Sequence, residues 1–159
     1  MGKLIKICFH KFMGECLMKE IYSEIEINTS AKVVWDILMN FEDFPKWNPF
    51  MKQISGNPYK GSRIIVFIQP PNSRGLTFKP KILDNEPEKK LRWKGNTLIP
   101  HLFDGEHSLI IKEIKKDKVL FIQKEIFTGI FVPFLGNLLR NSAQGFKMMN
   151  VALKEEAEK

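Results

Sequence analysis

At 159 residues the chain is long enough for one domain with a real core and too short for two. Hydrophobic residues at 43% and charged residues at 27% exclude intrinsic disorder. The formal charge of +7 raises nucleic acid and anionic membranes as partners, yet the lysines are spread along the chain and no recognition motif accompanies them. The short runs Lys89-Lys90 and Lys115-Lys116 read as solvated hairpin tips, and no nucleic-acid partner is expected.

Residues 1–19 carry apolar patches (Leu4, Ile5, Ile7, Cys8, Phe9, then Phe12 and Met13) broken by Lys6, His10 and Lys11. No run there is long enough to span a membrane, and no apolar stretch leads to a small-residue cleavage site. The expectation is a poorly ordered tail ahead of a single domain over residues 20–159. Membrane contact through a short basic amphipathic helix in that tail is the sharper alternative. Cys8 and Cys16 lack the close spacing of a zinc or redox pair. Reduced thiols in a cytoplasmic protein, with no metal and no cofactor, are the expectation.

Residues 20–28 place Ile21, Ser23, Ile25 and Ile27 against Tyr22, Glu24 and Glu26, a period of two that predicts a half-buried strand. Thr29 or Ser30 can cap the helix that follows, where Val34, Trp35, Leu38 and Phe41 fall at helical spacing. Pro45 and Pro49 stop its continuation and predict a second short helical turn. Asn48 is suited to capping that turn, and Trp47 to plugging one end of the core or gating an opening.

Strand candidates then follow at 51–54, 63–69, 76–83, 91–96, 102–114 and 119–127, with turn residues between them. Pro80 inside the third predicts an edge or a bulge. At the end, Leu135, Leu139, Ser142, Phe146, Met149 and Leu153 make one helical stripe, with Pro133 in the expected first turn. A lone antiparallel sheet must cover its apolar face, and only this last helix is long enough to do so. The fold class is therefore α+β: a curved antiparallel sheet of about six to seven strands wrapped around a long C-terminal helix, with two short helices after the first strand.

The opening residues EIEINTSAKVVWDILMNFEDFPKWNPF resemble the start of the START-like (SRPBCC) superfamily, which includes polyketide cyclases and lipid-transfer domains. Leu91-Arg92-Trp93 is similar to that family's leucine-x-tryptophan strand, and Gly105-Glu106-His107 to its glycine-x-histidine strand. The segment 125–129 and the helix with Gly145 and Phe146 resemble the ending of a polyketide cyclase/dehydrase-like prokaryotic branch. The resemblance covers residues 20–159 and implies a helix-grip fold around an internal cavity.

No nucleophile elbow, phosphate loop or HExxH occurs. The best polar pair is His107 with Glu125. His107 shares strand parity with Phe103, Leu109 and Ile111; Glu125 shares it with Val119, Phe121 and Phe127, although the opposite face of that strand is apolar too. A small bulge at the turn 115–118 sets the two opposite one another. They then make a structural hydrogen bond, an anchor for a ligand carbonyl or hydroxyl, or an acid–base pair for enolisation or dehydration. Trp93, Phe103, Phe146 and Met149 are candidate pocket walls and equally candidate core. His101 falls in an exposed turn. The leading reading is a non-catalytic protein that binds a hydrophobic small molecule, lipid-like or polyketide-like, in an internal cavity. The alternatives are a cyclase or dehydratase using the same cavity and a membrane- or protein-docking module.

Overall fold

A computed structural model describes residues 6–12, 15–96 and 103–159. His101, Leu102 and the outer parts of the N-terminal segment lie outside the described residues. Nine strands are described: β1 (Lys6–Phe12), β2 (Glu15–Ile27), β3 (Met51–Gly56), β4 (Ile64–Ile68), β5 (Leu76–Phe78), β6 (Lys81–Glu86), β7 (Lys90–Asn96), β8 (Asp104–Lys115) and β9 (Lys118–Thr128). Three α-helices accompany them: α1 (Ala31–Met39), α2 (Phe44–Trp47) and α3 (Gly136–Ala157). All strand pairs are antiparallel. They form one sheet in the order β1-β2-β9-β8-β7-β6 and a second in the order β3-β4-β5.

The expected single sheet is thus two, and the reason sits at Pro80. The predicted strand 76–83 is split there: β5 pairs with β4, while β6 pairs with β7. Proline offers no N–H to a ladder, but its carbonyl still accepts from Ile64 N at 3.1 Å. The neighbouring bond from Ile82 N to Ser62 O, at 2.8 Å, and the bridge between Arg63 and Lys81 tie the sheets at this corner. The result is a continuous wrap around α3. Bulges in β3, β6 and near the β8–β9 turn add local bend to it.

The first predicted strand begins earlier than its clean alternation. Residues 15–19 belong to β2, and Lys6–Phe12 pairs with β2 from Lys6↔Tyr22 to Phe12↔Glu15. These residues were expected in a poorly ordered tail because Lys6, His10 and Lys11 interrupt their apolar patches. A free sheet edge supplies backbone partners regardless of side-chain pattern.

Ser30 caps α1 as expected, its hydroxyl accepting from Val33 N, and Ala31, Val34, Trp35 and Leu38 form the buried face. Asn48 is fully buried, and its side-chain oxygen accepts from Phe50 N at 3.0 Å and Met51 N at 2.9 Å, turning the chain out of α2 into β3. Trp47 packs against the core beside Phe44. Pro133 lies in a 3-10 turn just before α3 rather than in its first turn. The stripe Leu139, Ser142, Phe146, Met149 and Leu153 is buried as the spacing requires. At the far end of α3, Lys154 donates to Glu26 O at 3.0 Å and Glu158 accepts from Asn28 N at 2.6 Å.

Candidate functional site

The register of the large sheet builds the site row by row. Ile21, Glu125, His107, Trp93 and Ile82 are successive cross-strand neighbours on β2, β9, β8, β7 and β6. The pairing of His107 with Glu125 passes through a register shift between Glu113 and Lys115, the bulge that the turn requires. The His107 Nδ1 atom lies 3.5 Å from Glu125 Oε2. That separation is an electrostatic contact, longer than an ordinary hydrogen bond.

His107 is only 3% exposed. Its ring stacks on Trp93 at 4.8 Å between centroids and meets Phe146 edge-on at 5.0 Å. Its second nitrogen, Nε2, is buried with no hydrogen-bond partner among the described residues. Gly105 makes room for the carboxylate: a Cβ there would lie 2.9 Å from Glu125 Oε1. Phe103 stacks on Phe127 at 5.3 Å, beside Gly105 in the adjoining row.

The next row toward the other end of the sheet adds a polar chain that sequence reasoning missed. Ser23 and Gln123 are cross-strand partners on β2 and β9. The Asn150 amide on α3 donates to Ser23 Oγ at 3.0 Å, and its oxygen accepts from Gln123 Nε2 at 3.2 Å. All three residues are buried, and Gln123 Oε1 is unpartnered among the described residues. The available signal was parity: Gln123 falls in step with Phe121 and Glu125 on β9.

Trp93, His107, Glu125 and Phe146 therefore come together, Phe103 stacks on Phe127 of the adjoining row, and Met149 lies in the buried stripe of α3. Trp93 and Phe146 are 1% and 0% exposed, so the rings themselves fill the space between sheet and helix. None of the predicted wall residues lines a surface concavity of about 470 Å³ among the described residues. That cleft is bounded by Lys52, Arg74, Met148 and the loop between β4 and β5.

A curved antiparallel sheet gripping a long C-terminal helix, with short helices after the first long strand, is the START-like helix-grip fold. Residues 18–158 match the family described as polyketide cyclase / dehydrase and lipid transport, and the chain belongs to that family. Among curated proteins, none matches. A START superfamily protein from Mycobacterium smegmatis superposes with a TM-score of 0.68 at 16% identity, covering 87% of this chain and 97% of the other. The Zhui aromatase/cyclase from Streptomyces sp. R1128 gives 0.72 at 11% identity, covering 89% and 94%. Norcoclaurine synthase from Thalictrum flavum, solved with dopamine and hydroxybenzaldehyde, gives 0.65 at 14% identity, covering 87% and 86%. Identities this low show a shared fold. Among the described residues no helix is long and apolar enough to cross a membrane.

Proposed function

We propose that this protein binds a hydrophobic small molecule, lipid-like or polyketide-like, between the large sheet and α3, with His107 as its polar anchor. One observation carries the reading: a histidine almost wholly buried among aromatic rings, one nitrogen facing Glu125 and the other without a partner. A buried polar atom left unpaired costs free energy, and a ligand carbonyl or hydroxyl that meets it recovers that cost. Gln123 Oε1, one row away, offers a second such atom. Because Trp93 and Phe146 both touch His107, binding parts α3 from the sheet rather than filling a standing void. The family's description names both lipid transport and cyclase chemistry, and it supports an apolar ligand without choosing between them. We place the protein in the cytoplasm, with Cys8 and Cys16 as thiols.

Native mass spectrometry of protein purified from its own host tests the reading directly. An apolar molecule is expected to copurify. His107→Ala should weaken rebinding of that molecule roughly tenfold, the worth of one hydrogen bond made in a dry site. If nothing apolar copurifies and a fluorescent apolar probe binds the variant as it binds the parent, the anchor does not exist.

The second reading, a cyclase or dehydratase, rests on the same pair, since an imidazole beside a carboxylate can move a proton next to a carbonyl. Turnover of a β-keto substrate that is lost in both His107→Ala and Glu125→Gln selects it. Binding without turnover rejects it.

A further inference from the structure

The lysines are dispersed in sequence, but the acids are not. From Phe44 to Leu83 the chain carries seven cations and no acid, and from Ile126 to Lys154 three cations and no acid. The fold brings these two stretches together. Met148 of α3 lines the same cleft as Lys52 and Arg74.

Several cations elsewhere are held by acids, although Lys89, Lys115 and Lys116 at the hairpin tips, and Arg63, Lys79 and Lys81, form no ion pair with a described residue. Arg92 is bound by Asp84 and Glu106, Lys124 by Glu20 and Lys118 by Glu26. Lys52, Arg74, Arg140 and Lys147 form no ion pair with any described residue. Arg140, Lys147 and Met148 share the outward face of α3, at helical spacing. Leading into that helix is the connection from β9, where Ile130 and Phe131 are about half exposed and Phe134 is 81% exposed.

Three large apolar side chains held in water within five residues, next to a helix face rich in unpaired cations, make a surface of one chemistry. We propose that this surface docks on an anionic lipid bilayer, Ile130, Phe131 and Phe134 entering the interface while Arg140, Lys147, Arg74 and Lys52 meet headgroup phosphates. Aromatic and aliphatic tips partition into the headgroup–acyl boundary, and each nearby cation adds attraction to anionic lipid. A nucleic-acid duplex would satisfy the cations but leave the Ile-Phe-Phe tip without a use, and a single strand could stack on the two rings but not on Ile130. The inference rests on the surface alone and stands whether or not the interior binds a ligand. It also differs from the alternative raised by the sequence, which was membrane contact through residues 1–19.

Cosedimentation of the full chain with phosphatidylcholine vesicles, with and without phosphatidylserine, is the test. Binding is expected to phosphatidylserine vesicles, to fall with added salt, and to be at least tenfold weaker, roughly, on phosphatidylcholine alone. Phe131→Ser/Phe134→Ser should lower it by about tenfold or more. Arg140→Gln and Lys147→Gln should each lower it roughly fivefold. All four side chains are exposed, so the circular dichroism spectrum and melting temperature should match the parent's. Absence of sedimentation with phosphatidylserine vesicles overturns the proposal. So does parent-like binding by both classes of variant, or single-stranded RNA bound more tightly than the vesicles.

Discussion

Gly145 sits in the middle of α3, where alanine would normally be the better residue by about 1 kcal/mol. The structure predicts the opposite sign. A Cβ at this position would lie 2.2 Å from Phe50 Cδ2, 2.6 Å from Cε2 and 2.9 Å from Cγ. Because Cγ is among those atoms, rotating the ring tip does not relieve the overlap; the whole ring must move. Phe50 is buried and packs edge-on against Phe146 at 5.5 Å. Overpacking of this kind costs up to about 3 kcal/mol, which outweighs the gain in helix propensity and leaves Gly145→Ala roughly 2 kcal/mol less stable. For a domain of this size the melting temperature should fall by about 4–8 °C, read by thermal and urea denaturation. In a Phe50→Leu background the same substitution should cost little or become stabilising, a coupling of the size double-mutant cycles resolve between touching residues. Equal cost in both backgrounds, or a stabilised single variant, would refute the reasoning.

Asn150→Ala should destabilise by about 2–4 kcal/mol, because it strands Ser23 and Gln123 as well as removing their partner; replacing all three by apolar residues of similar volume should recover most of the loss in the same denaturation assay. Gly105→Ala should leave stability nearly unchanged, since the Glu125 carboxylate can swing aside, but should weaken binding of the copurified molecule by displacing that carboxylate from His107. Burial, then the Glu24 carboxylate accepting its hydroxyl proton, push the Tyr22 phenol up to about 12. Absorbance titration of a Tyr59→Phe variant should find that midpoint, and Glu24→Gln should lower it without restoring the ordinary value. Because the folded value lies above the unfolded one of 10.0, the associated stability is whole below that pH and is lost as pH climbs toward 12.

The large-sheet half of the site was legible in the sequence for a local reason. His107 and Glu125 flank one short turn, so strand parity and a single bulge set their pairing. The helix stripe was legible because α3 repeats its apolar spacing over its whole length. What escaped depended on partners distant in the chain. Whether residues 76–83 form one strand or two is decided by β4 and β7, which the period of those eight residues does not encode. Asn150 sits beside Met149 at the margin of the stripe, and its role exists only because Ser23 faces it across 127 positions. Lys6–Phe12 pairs through its backbone, for which no side-chain pattern is required.

The bonds that Lys154 and Glu158 make to the end of β2 have a mechanical consequence. At its other end, α3 begins at Gly136 with no side chain capping its free N–H groups. Val132 and Leu139 bury their side chains on either side of that uncapped turn, but its backbone is less tied than the far end, so amide exchange should be slowest near Leu153 and quicken toward Leu138. The uncapped end adjoins the exposed Phe134, so fraying of the first turn would be felt at that surface before it reached Phe146, two to three turns inward.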